Sequence, residues 1–180
     1  MPVLVTATVL LGLLTLVNLL LILGVVRRLR EHTELLSRSS PRDDARILPV
    51  GASVGDFTAT TTDGHPVSRD TLGGETLVGF FSPGCDACEA LLPEFIERAA
   101  TAPRGRAGVL AVVEAEQSSA EPYVAMLSPV ARVVRQQPGT PGLIAALGVR
   151  ALPAVYLLDG QGRVTASGHG LDGLPVPAHA

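Results

Sequence analysis

Lysine is missing from the chain: all 14 basic side chains are Arg, set against 17 acidic ones for a net charge of −3. That balance excludes the strongly basic face of a nucleic-acid binder. The arginine bias reads as coding composition, because either cation serves on a generic surface. Trp is absent as well, and four Phe and two Tyr are the only aromatics. The core therefore has to be built from Leu, Val and Ala. Only two cysteines occur in 180 residues. A disulfide scaffold needs several pairs closing larger loops, and a bridge between Cys85 and Cys88 would restrain the unfolded chain very little. A pair placed so close is better explained by chemistry than by stapling. No internal repeat and no low-complexity tract is visible.

What is present begins with a long apolar run. Residues 3–26, VLVTATVLLGLLTLVNLLLILGVV, carry no charge. As a helix this run extends roughly 36 Å, enough for a hydrocarbon core of about 30 Å. Thr6, Thr8, Thr15 and Asn18 are tolerable there because hydroxyls bond back to the helix. A cleavable signal peptide would want a basic start, a shorter apolar stretch and a small-x-small site. This chain opens Met1-Pro2 and places Arg27 and Arg28 directly after the run. The expectation is an uncleaved single-span anchor in the lipid bilayer. Residues 27–50 follow as a juxtamembrane helix, RRLREHTELL, and a Ser/Pro/Asp-containing linker.

The remainder is long enough for one domain, expected over 51–168. Its pattern alternates strand and helix. Residues 56–60 and 66–68 flank Asp63-Gly64 and read as a hairpin. Thr76–Phe81, TLVGFF, is a continuous run suited to a buried central strand. From Asp86 to Ala100, apolar residues Cys88, Leu91, Leu92, Phe95, Ile96 and Ala99 fall at helical spacing. A strand over 108–113, a helix over 121–127, a strand over 132–135 and a short helix over 141–147 follow. Residues 154–158 and 163–167 close the domain as a hairpin around Asp159-Gly160-Gln161-Gly162. The expected class is α/β, with helices flanking one central mixed sheet. The Gly/Pro-rich residues 169–180 read as a disordered tail.

Cys85 and Cys88 fall where the buried strand ends and a helix starts. A helix N-terminus offers unpaired N–H groups and partial positive charge, and both favour a thiolate over a thiol. Asp86 opposes this by repelling a neighbouring thiolate. Cys88 lies one turn further in, on the same face and more shielded, close enough to form a disulfide with Cys85. The expected cycle is attack by Cys85, a mixed disulfide, and resolution by Cys88. Zinc is a rival, but it usually needs four ligands. Only His32, His65, His169 and His179 remain as candidates, with no second Cys-x-x-Cys. Neither a metal nor a cofactor is expected.

With these residues in view, the chain resembles the thioredoxin superfamily, in particular its membrane-tethered TlpA- and ResA-type disulfide reductases. The likeness covers about 50–168. It rests on Gly55-Asp56-Phe57 with Asp63-Gly64 and Val67, on Cys85-x-x-Cys88, on Pro93 five residues later inside the helix, and on Pro153 in Ala151-Leu152-Pro153-Ala154. The resemblance implies a thioredoxin-like fold and a cis-proline at 153. It also implies a substrate-binding surface formed by the Leu152 backbone with Pro83 and Gly84. Client protein thiols and disulfides, and a membrane redox partner, are the implied partners. Three departures stand out. Ser82-Pro83-Gly84 replaces the usual Trp before the first cysteine, and this form resembles the MauD-type accessory proteins of methylamine dehydrogenase maturation. Leu91 stands where ResA-type proteins carry an acid. The strand TLVGFF lacks the buried carboxylate of ordinary thioredoxins.

Two other functions fit parts of the pattern. A peroxiredoxin-like peroxidase needs a Ser or Thr three residues before the attacking cysteine and a Pro seven before it; Ser82 meets the first requirement, while Val78 fails the second. A non-enzymatic thiol or metal chaperone at the membrane would use the same cysteines without turnover, though no Met-rich run or further Cys supports it. On location, Arg27, Arg28 and Arg30 after the span place the domain in the cytoplasm by the positive-inside rule. The resemblance implies the outer side of the membrane, which is the expectation adopted.

Overall fold

The computed structural model describes residues 10–15, 18 and 47–175. The chain divides into two units, Met1–Pro41 and Arg42–Ala180. In the first, residues 10–15 and 18 are helical. Thr15 Oγ1 donates back to the carbonyls of Leu11 at 3.0 Å and Gly12 at 2.8 Å, which satisfies a hydroxyl on an apolar helix. Among the described residues no helix is long and apolar enough to cross a membrane. The span expected over 3–26 and the juxtamembrane segment expected from 27 lie mostly outside the described residues.

The second unit is built outward from Thr76–Phe81, whose six residues are all buried. In chain order the elements are β1 (Thr58–Thr60), β2 (Pro66–Ser68), β3 (Thr76–Phe81), α1 (Asp86–Ala100), β4 (Val109–Glu114), α2 (Gln117–Leu127), β5 (Arg132–Gln136), α3 (Leu143–Ala146), β6 (Ala154–Leu158) and β7 (Val164–Gly168). β1 and β2 form a separate antiparallel hairpin. The other strands make one mixed sheet in the order β5-β4-β3-β6-β7. In it, β3, β4 and β5 run parallel, β6 is antiparallel to β3, and β7 is antiparallel to β6.

Strand alternation sorts the core into two faces. Leu77 and Phe81 of β3, Val113 of β4 and Val155 of β6 point to α1 and α2. Val78, Phe80, Val112 and Tyr156 point to the β1–β2 hairpin and α3. The stripe of α1 closes on the first face: Cys88, Leu91, Leu92, Phe95 and Ala99 are buried, as their spacing requires. On the second face Tyr156 is fully buried; its hydroxyl donates to Leu147 O at 3.0 Å and accepts from Leu48 N–H at 3.3 Å. Burial pushes that phenol up to about 12, so it stays neutral at ordinary pH.

β1 begins at Thr58 rather than 56, the ends of β4, β5 and β7 shift by one residue, and four larger differences have a visible cause. α2 begins at Gln117 rather than 121, because Ala120 is fully buried and draws a further turn into the helix ahead of Pro122. α3 is shorter than 141–147, since Gly142 is extended at φ 178° and leaves Pro141 outside. The domain starts before 51: Ile47 is buried with the second face, and Leu48 packs against it. The expectation of a disordered tail from 169 is corrected for 169–175, where Leu171 and Leu174 are buried with the α1 face. Residues 176–180 lie outside the described part.

Candidate active site

After β3 the chain turns through Ser82, Pro83 and Gly84. Gly84 has φ +77°, and Pro followed by a residue of positive φ is the signature of a type II turn. A side chain at 84 would be strained by that backbone whatever the free space around it. The turn delivers Cys85 to the N-cap of α1, with φ −101° and ψ 108°. Its Sγ accepts the N–H of Cys88 at 3.3 Å, a role more often filled by Ser, Asp or Asn. Ser82 does not share in this. Its hydroxyl donates to the Glu114 carbonyl at 3.0 Å and ties the end of β3 to β4.

Both cysteines are free thiols, Cys85 half-buried and Cys88 buried. Their sulfurs stand 2.7 Å apart. Burial, reinforced by the hydrogen bond with Cys85, pushes the Cys88 thiol up to about 12. Cys88 is therefore protonated at neutral pH, and the pair is asymmetric: Cys85 is partly exposed and Cys88 is buried. Tyr123 of α2 belongs to the same buried cluster as Cys88. Burial and then the charge of Glu89 raise its phenol, and among the described residues its hydroxyl has no hydrogen-bond partner.

The sheet brings the second half of the site to the first. Because β3 and β6 are antiparallel with Phe80 opposite Ala154, Pro153 sits at the level where the cysteine turn leaves β3. The Leu152–Pro153 peptide bond is cis. The Leu152 carbonyl oxygen lies 3.9 Å from Cys85 Sγ. Cys85, Cys88, Leu152 and Pro153 thus come together at the carboxyl end of β3, with Pro83 and Gly84 in the adjoining turn. Among the described residues, no three His, Cys, Asp or Glu side chains gather as metal ligands.

His169, which the sequence offers only as a candidate metal ligand, is a further neighbour of the site. His169 follows β7, and the pairing of Val155 with Gly168 sets it beside the start of β6. Its Nδ1 lies 2.7 Å from the Pro153 carbonyl oxygen. Counting the closing hairpin outward from its turn sets His169 opposite Pro153 without the register shift between Leu157 and Leu158, and opposite Ala154 with it.

No protein-family model matches the chain, and neither does any curated protein. Solved structures do. A thiol:disulfide interchange protein from Bacteroides sp. aligns with a TM-score of 0.54 at 20% identity, over 67% of this chain and 81% of that one. The thioredoxin domain of a thiol-disulfide oxidoreductase from Bacteroides vulgatus gives 0.56 at 19% identity, over 67% and 88%. A thioredoxin-family thiol:disulfide interchange protein from Chlorobium tepidum gives 0.53 at 24% identity, over 68% and 88%. Strand order, the helix that starts at Cys85 and these three likenesses agree on one architecture: residues 47–175 adopt a thioredoxin-like fold.

Proposed function

We propose that the chain is a membrane-tethered thiol–disulfide oxidoreductase that exchanges disulfides with client proteins through Cys85 and Cys88. The observation that carries this reading is the asymmetry of the pair: a half-buried cysteine at a helix N-cap whose sulfur contacts that of a wholly buried one. In the reducing direction, the Cys85 thiolate attacks a client disulfide. A Cys85–client bond forms and one client thiolate leaves. Cys88 gives its proton to that thiolate and attacks Cys85, so the Cys85–Cys88 disulfide forms and the second client thiolate departs. Two electrons pass from the dithiol to the client, and the reverse sequence oxidises a client dithiol.

Pro153, the Leu152 backbone, Pro83 and Gly84 form the surface on which the client segment lies. The printed activities of the three similar structures, thiol:disulfide interchange and thiol-disulfide oxidoreduction, support this chemistry. The direction, reduction as in TlpA- and ResA-type proteins or oxidation as in MauD-type ones, follows from the reduction potential of the pair. The peroxidase alternative is weaker: Ser82 spends its hydroxyl on Glu114, and Val78 occupies the position where that class needs Pro.

Replacing Cys88 with Ser tests the two-cysteine cycle. Without the resolving thiol, the variant is expected to accumulate mixed disulfides through Cys85, visible on non-reducing gels and released by dithiothreitol. A variant with Cys85 intact that traps no adduct would sink the mechanism. The anchor at 3–26 and an outward-facing domain, served there by a membrane redox partner, complete the proposal. An alkaline phosphatase fusion after Pro49 is expected to be active; an inactive fusion places the domain in the cytoplasm and overturns this orientation.

A further inference from the structure

We propose that His169 is the positioning residue for the loop that receives the client, an inference that rests on the thiol-exchange reading above. The loop has a structural weakness at Pro153, which carries no N–H and so gives nothing to the strand ladder where β6 begins. Its carbonyl is held from the other side. A carbonyl oxygen only accepts, so His169 Nδ1, at 2.7 Å, carries the proton and donates it. Nε2 is buried with no partner among the described residues. It is closed to solvent and to a client, which leaves the Nδ1 bond as the ring's working contact.

The same short segment also grips the cysteine helix. Leu171 and Leu174 are buried in the cluster that contains Cys88 and Phe95. Arg98, in the last turn of α1, donates through Nη2 to the carbonyl oxygens of Leu174, at 3.0 Å, and of Pro175. Residues 169–175 are therefore a strap with two attachments. One is to α1, whose first turn carries both sulfurs; the other is to the Pro153 carbonyl, one residue from the Leu152 oxygen that faces Cys85 Sγ at 3.9 Å. The strap sets the spacing between attacking sulfur and client-binding backbone. Removing its hydrogen bond loosens the loop without touching either sulfur. That predicts weaker recognition of an extended client, with the intrinsic chemistry of Cys85 left intact.

Side-chain chemistry separates this role from general tail anchoring. Asn places an N–H donor where Nδ1 stands, whereas Gln is polar and of similar size but offers its donor one atom further out, and Leu offers none. The full-length protein is assayed against two substrates: a peptide with one intramolecular disulfide, and the small disulfide 5,5′-dithiobis(2-nitrobenzoate). His169→Leu and His169→Gln are expected to raise KM for the peptide about three- to tenfold, the value of one lost hydrogen bond, with kcat and the rate on the small disulfide unchanged. His169→Asn is expected to restore the wild-type KM. An unmoved peptide KM in His169→Leu and His169→Gln, equal losses on both substrates, or failure of Asn to rescue would each overturn the inference while the proposed function stands. Wild-type protein that reacts with neither disulfide sinks the proposed function, and the inference with it.

Discussion

In the Cys85→Ser variant, the remaining Cys88 is expected to react with iodoacetamide at pH 7 at least about tenfold more slowly in the folded protein than in urea. The thiolate is the species that reacts. Burial is the leading cause that raises Cys88 from 9.0 to about 12, and burial survives the loss of the Cys85 sulfur. Each unit of the rise that burial alone sustains removes about a factor of ten in thiolate at any pH well below both values. The folded rate should climb about tenfold per pH unit from 7 to 10 and show no plateau. A plateau below pH 9 would show that Cys88 ionises readily and would remove the asymmetry on which the proposed cycle stands. The sign also bears on stability: with a pKa raised by folding, Cys88 contributes fully below its unfolded value, and that contribution fades as pH rises toward 12. In the converse variant, Cys88→Ser, the half-buried Cys85 is the alkylation site.

In the proposed cycle, this asymmetry takes the place of an acid near Cys88. Leu91 is buried on the α1 stripe, so no carboxylate from that position reaches Cys88. In that cycle the resolving thiol loses its proton only after the mixed disulfide forms, when a client thiolate has just been released beside it. A high pKa then protects Cys88 from premature reaction, and the released client thiolate accepts the proton at the moment of resolution. Tyr123, also in this cluster, has its phenol raised by burial and so remains a neutral wall of the site.

The parts of this site that were legible in the sequence are those set by local spacing. TLVGFF, the stripe from Cys88 to Ala99 and the run before Asp159 gave β3, α1 and β6 with the bounds observed, because period and burial agree there. Cys85 at the start of α1 follows from where TLVGFF ends and the helical stripe begins, and Cys88 one turn in follows from their separation. The parts that were not legible depend on contacts between distant residues. Leu48 joins the core through Tyr156 and Ser167, far along the chain. Leu171 and Leu174 stand in a Gly/Pro-rich stretch whose composition suggests a loose tail, and two buried leucines with Arg98 override it. His169 has no periodicity to mark it; only the register of β7 brings it to Pro153.

Gly79→Ala is expected to destabilise the domain by about 1–3 kcal/mol, as overpacking of a filled core does, and to disturb the site as well. Gly79 lies in the middle of β3, between Val109-to-Glu114 on one side and Ala154-to-Leu158 on the other. A Cβ there would stand 2.5 Å from Phe95 Cε2, 2.7 Å from its Cζ and 2.8 Å from Phe81 Cε2. The two rings already pack edge to face, with centroids 5.0 Å apart and planes at 72°. Phe95 is fully buried, so its ring has no solvent to retreat into. Relief has to come from moving α1 away from the sheet, and α1 carries both cysteines at its start. Phe95→Leu in the same background removes the ring atoms that collide, so the double variant should be more stable than the sum of the two single changes allows, by about 1 kcal/mol or more. Urea unfolding of the four proteins measures the coupling, and additivity within about 0.3 kcal/mol would show that the ring is not what Gly79 accommodates. The same set, assayed for the alkylation rate of Cys88, reads the helix displacement directly. If Gly79→Ala pushes α1 outward, Cys88 gains solvent, its thiol falls from about 12 toward the ordinary range, and its labelling accelerates in the single variant and slows again in the double. Stability lost without any change in Cys88 labelling would place the relaxation in the strand and leave the helix that carries the sulfurs where it is.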